Sequence, residues 1–431
     1  MDPNNRLQTL DVLSVGLSVE MFRQGDVWRQ VQKASDFYSN VLPPPESQKY
    51  LHSDDPGVWA KRQHDVLELV LKPMVEAWPI PSVLITKTPP KDRRPSMWEI
   101  EKTWIDHMRM PAGLHWTQIN QLDVVYNDNP EGVVEAIFRT FERYPDLPAM
   151  LVYVEGPSGQ YANGKRVSDA PIATYAAMVV ARRERVEWLR PWVPYTRMGE
   201  DTIYPGFWKW ASQPPRQFKP TPFFPTPWTK GHFEQWDSLP TLAQLHRPVV
   251  AVFVDEEGAT LKRKQQEASM VATWKEATQV ASPARVFFDT GKPGTGIGML
   301  NPALTATQSD LDLIDPLSAR LGDMSAASPF VGLVLATMAT AESGKASMVV
   351  PLRRKDQATF MLLTQPEKKP GADAFDVKLM PQLSEGQDMP RQAPPETEAV
   401  STAHISRREV EENRRNLDAF LNSMSRSHDE G

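Results

Sequence analysis

The sequence predicts an α/β protein made of two α/β halves, and three observations carry that prediction. The segment NPEGVVEAIFRTFERYPDLPAMLVYVEG (129–156) places Val133, Val134, Ile137, Phe138 and Phe141 at helical spacing, and a short turn then leads to an apolar strand, Met150–Val154. A helix returning into a strand in this way is a crossover unit, which implies a sheet with helices on its faces. The same alternation recurs in RPVVAVFVDEEG (247–258), TLKRKQQEASMVATWKEATQ (260–279) and ARVFFDT (284–290), read as strand, helix and strand. Between the two lies YPGFWKWASQPPRQFKPTPFFPTPWTKGHFEQW (204–236), where the spacing of prolines predicts extended or turn-rich chain and no regular helix.

In the first half, LDVLSVGLSVEM (10–21) reads as a buried strand and residues 24–42 as a helix capped by Asp26. PPPE (43–46) breaks the chain. Residues 56–79 then read as helical, PSVLITKTP (81–89) as a strand, and PIATYAAMVVARRERVEWL (171–189) as a helix. In the second half, SPFVGLVLATMATAESGK (328–345) is an apolar helix and ASMVVPLRRKDQATFMLLTQ (346–365) a hairpin. Periodicity is lost after Pro366 and returns at HISRREVEENRRNLDAFLNSM (404–424). There Ser406 and Glu409 fit a capping box, and Val410, Leu417, Phe420, Leu421 and Met424 form an apolar stripe. The organisation expected is therefore an N-terminal half (1–203), a Pro- and aromatic-rich connection (204–246), a C-terminal half (247–366), a linker (367–403) and a terminal amphipathic helix (404–424).

Composition narrows the chemistry. The 431 residues carry a net charge of -6, which argues against nucleic acid as a general partner, because neutralising phosphates needs a basic face. With no cysteine, disulfides, thiolate metal sites and cysteine nucleophiles are excluded. The N-terminus lacks the basic and apolar regions of a secretory signal, and no uninterrupted apolar run is long enough to span a bilayer, so the chain as given reads as soluble.

Four features invite a catalytic reading, and each falls short. VFFDTGKPGTGIG (286–298) runs from a strand into a glycine-rich loop, as in phosphate-binding loops. Yet Ile297 and Gly298 stand where Lys and Ser/Thr are required, Lys292 lies too early, and Pro302 disfavours a following helix. GPSG (156–159) places its second glycine one residue early for a nucleophile elbow around Ser158. The eight histidines (52, 64, 107, 115, 232, 246, 404 and 428) show no metal-ligand spacing, and the acidic stretches VDEEG (254–258) and QSDLDLIDP (308–316) read as solvated turns and caps. No catalytic, cofactor-binding or metal residue is assigned.

The segment 321–366, opening LGDMSAASPF, resembles the closing part of thiolase-like (β-ketoacyl-synthase-like) proteins, the match resting on Gly322, Asp323, Ala326, Ala327 and Ser328. The nucleophile of those enzymes is a cysteine, so the resemblance implies a non-catalytic version of the fold. Over residues 9–366, with LDVLSVGLSVEMFRQGDVWRQVQK (10–33) and YPGFWKWASQPPRQFKPTPFFPTPW (204–228), the chain looks like the type VI secretion lipase-adaptor family. That resemblance implies a cytoplasmic adaptor, or chaperone, that binds a toxic phospholipase effector and loads it onto the spike tip protein, with no cofactor. The aromatics Phe207, Trp208, Trp210, Phe223, Phe224, Trp228 and Trp236, with Leu417, Phe420 and Leu421 of the terminal helix, are the candidate partner-binding residues, because Trp anchors bury large area while keeping a polar tip; the alternative is that the aromatics lay an ordered segment over the chain's own core and that the terminal helix docks back on it. Two other readings stand beside it: a thiolase-like enzyme or pseudo-enzyme with a small-molecule site near Gly291–Gly298 and Asp289, and a toxin-neutralising immunity protein.

Overall fold

The computed structural model describes residues 7–20, 22–33, 62, 65–67, 69–70, 83–87, 121–126, 131–156, 161–162, 165–166, 172–195, 218–221, 223–224, 227–291, 297–306 and 313–366. The strands are β1 (Thr9–Val19), β2 (Phe22–Arg23), β3 (Val83–Lys87), β4 (Gln121–Tyr126), β5 (Ala149–Glu155), β6 (Tyr161–Ala162), β7 (Lys165–Arg166), β8 (Thr174–Ala181), β9 (Ala243–His246), β10 (Val249–Val252), β11 (Arg285–Asp289), β12 (Leu313–Pro316), β13 (Ser347–Pro351) and β14 (Gln357–Thr364). The helices are α1 (Gln24–Lys33), α2 (Gly132–Arg143), α3 (Lys230–Ser238), α4 (Arg263–Ala277), α5 (Ile297–Ala306), α6 (Leu317–Leu321) and α7 (Ser328–Ser343).

One sheet has the order β12-β11-β13-β14-β9-β1-β8-β5-β3-β4. Numbering β1, β3, β4, β5 and β8 as 1 to 5 gives the order 3-2-4-5-1, and numbering β9, β11, β12, β13 and β14 in the same way gives it again. In both sets strand 2 is parallel to strands 3 and 4, while strand 5 runs antiparallel to strands 4 and 1. The sheet is thus a topological duplication. Its two copies join where β1 pairs antiparallel with β9, from Thr9↔His246 to Val12↔Ala243.

Burial explains the central elements. In α7 every residue from Ser328 to Thr340 is buried, and the helix packs against strands of both copies, which accounts for its apolar composition on all sides. It ends at Gly344, whose φ of 69° is the left-handed cap that glycine adopts without strain. The five apolar positions read for α2 are all buried. On the outer face of the second copy, α4 and α5 cover Val286, Phe288, Met348 and Phe360 through Met270, Trp274 and Leu300. At Gly16, in β1, a Cβ would come 2.6 Å from Val70 and 2.8 Å from the Val66 carbonyl, so only glycine lets Val66 and Val70 lie this close.

A β-bulge shapes the junction. β14 pairs Leu363 with Leu245 but Phe360 with Val249, so four steps along β9–β10 span three along β14. The extra residue falls at Arg247–Pro248, where proline has no N–H to leave unpaired. The turned Arg247 side chain reaches α2: its Nε donates to Glu135 Oε2 at 2.9 Å, its other nitrogens bond Glu135 Oε1 and Glu142 Oε1, and Nη1 donates to the Leu7 carbonyl at 3.1 Å. Its side chain is only 7% exposed.

Several elements differ from expectation. PIATYAAMVVARRERVEWL contains strand β8, followed by a 3-10 helix over Arg183–Tyr195. All eight residues of β8 are buried, so the strand has no polar alternate face, and an apolar run of that kind cannot be told from helix by period. The connection does hold a regular helix, α3, because no proline falls between Pro227 and Pro240. Thr229 Oγ1 accepts the His232 N–H at 3.3 Å, and His232 Nδ1 accepts the Thr229 N–H at 3.2 Å. α5 also runs through Pro302, which removes one internal hydrogen bond without ending a ten-residue helix. Asp26 lies inside the first turn of α1 and is not its cap. Residues 367–424, with the linker and terminal helix expected there, lie outside the described residues, as do Ser158 and Lys292.

Replacing Arg247 by Met leaves Glu142 without its counter-charge and Glu135 with only the exposed Arg139, and should cost about 3 kcal/mol or more, read as a lower denaturation midpoint. Arg247→Lys should cost less, keeping the charge but losing the planar fork. Burial by itself would raise the Glu142 pKa, but bonds from Arg247 and the Leu7 N–H hold it below the usual carboxylate value. This stabilisation is present above the unfolded Glu pKa of about 4.3 and lost as pH falls through the lower folded value. Acid melting curves of wild type and Arg247→Met should therefore converge.

Candidate functional site

In open α/β sheets, ligands bind beyond the carboxyl ends of the strands. Here those ends carry a charged cluster drawn from both copies. Asp289 closes β11 and is 1% exposed. Its Oδ1 accepts the N–H of Gly291 at 2.9 Å, where φ of 73° turns the chain, and its backbone oxygen accepts the Leu352 N–H at 2.6 Å. Arg353, in the turn between β13 and β14, donates Nε to Asp289 Oδ2 and Nη2 to Asp323 Oδ1. Asp323 Oδ1 also accepts the Ser325 N–H at 2.9 Å. One guanidinium therefore ties three loops together.

Glu131, at the start of α2, completes the cluster. It is 2% exposed, and its Oε2 has no hydrogen-bond partner. Burial pushes its pKa up, offset in part by a hydrogen bond from its own backbone and by the charges of Arg354 and Arg353. Gly156, at the end of β5, packs against the same loop: a Cβ there would stand 3.2 Å from Ala327 and 3.3 Å from the Met324 carbonyl. Arg353 bonds both aspartates, while burial holds the Glu131 carboxyl toward its neutral form. Among the described residues no group of three or more His, Asp or Glu is placed to hold a metal ion.

At the other ends of β11 and β13, about 13 Å away by strand rise, lies a cavity of about 330 Å³. Trp28, Arg285, Glu342 and Lys345 line it. Glu342 Oε2 accepts Trp28 Nε1 and Gln32 Nε2, both at 2.8 Å, and the Arg285 guanidinium lies 4.9 Å from the Trp28 ring centroid. Arg285 and Arg320 share the buried carboxylate of Asp315 at 2.6 and 2.9 Å.

Of the residues named from sequence, Asp289 and Asp323 meet at the cluster. Lys292 and 293–296 lie outside the described residues, so the glycine loop itself is not described; it leads into α5. The aromatic candidates fare differently. Phe223, Phe224, Trp228 and Trp236 are each 4% exposed or less and belong to the chain's own core rather than to an exposed surface. The physical reason is mutual packing: Trp228 makes edge-on contacts with Phe224, Phe233 and Trp236 at centroid distances of 5.3 to 5.6 Å. Phe207, Trp208, Trp210, Leu417, Phe420 and Leu421 lie outside the described residues. His232 and His246 are structural: His246 Nε2 bonds Thr364 Oγ1 at 2.9 Å, and burial lowers both pKa values. Sequence reasoning missed Arg353 and Glu131, although a lone acid opening an amphipathic helix and an arginine pair in a hairpin turn were both visible.

Residues 8–169 match the family model described as type VI lipase adapter protein Tla3, N-terminal, and residues 242–365 match its C-terminal counterpart. Among solved structures, the chain is similar to a ketosynthase from module 6 of the bacillaene synthase of Bacillus subtilis 168. Identity there is 10% and the TM-score 0.47, over 83% of this chain and 71% of that one. It is also similar to 3-oxoacyl-[acyl-carrier-protein] synthase III from Aquifex aeolicus VF5, at 10% identity and a TM-score of 0.38, over 82% and 99%. Likeness at this level says nothing of substrate or activity.

Glu131→Gln supplies a direct check on the cluster. A carboxyl whose folded pKa is raised holds its proton longer in the folded state, so ionisation costs stability as pH rises above the unfolded value. The neutral isostere should melt higher than wild type at pH 7, and the difference should vanish below about pH 4. Equal melting temperatures at both pH values would mean that Glu131 is solvated.

Proposed function

The chain belongs to the type VI lipase adapter family, and on that premise we propose that it is an adaptor acting by binding. It holds a toxic phospholipase effector in the cytoplasm as a chaperone and loads it onto the tip protein of the secretion spike. The family match at residues 8–169 and 242–365 is the observation that carries this reading. The charge pairing at the strand ends supports it. Arg353 bonds both Asp289 and Asp323, an arrangement that consolidates three loops and leaves neither aspartate disposed as a general base.

Binding is then the work of surfaces. With Phe223, Phe224, Trp228 and Trp236 committed to the core, the remaining anchors in this proposal are Phe207, Trp208 and Trp210 of the connection and Leu417, Phe420 and Leu421 near the C-terminus. An amphipathic helix is a common docking element, its apolar stripe set into a partner's groove.

Deleting the gene for this chain in its source strain should abolish release of the lipase effector while leaving the secretion apparatus able to export its other substrates. Death of the producing strain on deletion would instead mark an immunity protein. Phe420→Asp with Leu421→Asp should reduce lipase retention about ten-fold or more with an unchanged melting temperature. A large fall in melting temperature would show that these residues belong to the core.

A further inference from the structure

Beyond the bulge at Arg247–Pro248, β10 is a sheet edge among the described residues. It pairs with β14 on one side, and β1, which flanks β9, begins only at Thr9 opposite His246. Leu7 is drawn off that line, its N–H donating to Glu142 Oε1 at 2.9 Å and its carbonyl accepting from Arg247. Phe253 donates its N–H to the Asp356 carbonyl at 2.7 Å, so the hydrogen-bonded pairs with β14 fall at Val249, Ala251 and Phe253. By the same alternation, the N–H and C=O groups of Val250 and Val252 point off the edge.

The side chains agree with the backbone. Ala251 and Phe253 are buried beneath α4, whereas Val250 and Val252 are 41% and 47% exposed, two of the four large exposed hydrophobics among the described residues. Just past them, Val254 bridges Thr260 across a turn holding Asp255, Glu256 and Glu257, all exposed. Edge strands are blunted by charge, proline, bulges or short length; β10 is short and follows a bulge and Pro248, but Val249–Val252 carry no charged or proline residue.

We propose that β10 is a strand-addition site, and that its occupant is an extended segment of the lipase effector. This inference rests on the adaptor reading. The unpaired groups of Val250 and Val252 sit two residues apart on one line, and an extended peptide backbone matches that spacing. The two valines select apolar side chains at alternate positions of the added strand. The acidic turn selects a basic residue at the end of the segment that lies beside it, by charge complementarity.

The test uses the full chain and the purified lipase effector released by its source strain. Val252→Pro removes an N–H that points off the edge and leaves the β14 ladder intact, whereas Val250→Thr with Val252→Thr keeps every backbone group and the shape. The proline variant should bind the lipase about ten-fold more weakly, and the threonine pair, which loses only apolar contact, should weaken binding by less than that. If the proline variant does not fold, Val250→Lys with Val252→Lys asks the same question through two exposed side chains. Equal lipase binding by all variants overturns the strand-addition site while leaving the adaptor reading intact. A wild-type chain that does not bind lipase overturns the adaptor reading itself. A wild-type dimer that Val252→Pro converts to monomer makes a second copy the occupant and overturns the proposal.

Discussion

Four residue pairs join the two copies of the sheet. Thr9–Val12 of β1 and Ala243–His246 of β9 run antiparallel, and through them two five-strand units become one continuous sheet. Each unit would otherwise expose a central strand along its edge, with its row of unpaired backbone groups. The bulge that follows cannot be separated from this contact. It ends the paired stretch, bends the strand, and directs the Arg247 guanidinium to Glu135 and Glu142 on a helix of the other unit. A buried arginine with two carboxylates is destabilising to disrupt, so the ion group fixes the register that the backbone pairing begins.

That junction sets the position of the charged cluster. With α7 packed on strands of both units, the carboxyl ends of β11 and β13 come to lie near the start of α2 and the end of β5. Such a meeting place has the geometry in which α/β proteins often bind ligands. Here Arg353 draws Asp289 and Asp323 together instead, and Glu131 is buried beside them. On the proposed reading the cluster is a structural lock, and the work of the molecule passes to its surfaces.

Much of this architecture was legible in the sequence, where period and burial coincide. α2 shows a one-sided apolar stripe, β1 a long apolar run, and the β13–β14 hairpin two strands with a polar turn between them. β8 was not legible, since a strand buried on both faces carries no alternation and its alanines and methionine suit a helix equally well. The aromatic connection was ambiguous for a different reason: composition reports that rings will be buried, but not whether their own core or a partner buries them. The cluster was half visible. Asp289 and Asp323 could be named from sequence, whereas their shared arginine comes from a turn 64 and 30 residues away and becomes a partner only through strand order. Arg247 was hidden in the same way, because a bulge is a property of two strands and appears in neither alone.

The central claim is that this chain recognises a lipase directly. The most direct measurement is native mass spectrometry of the purified chain mixed with the purified lipase effector of its own secretion system, in the absence of other components. The account predicts a complex of defined stoichiometry that persists when nucleotides and acyl-CoA are added. Two separate species at micromolar concentration, with or without those molecules, would contradict it.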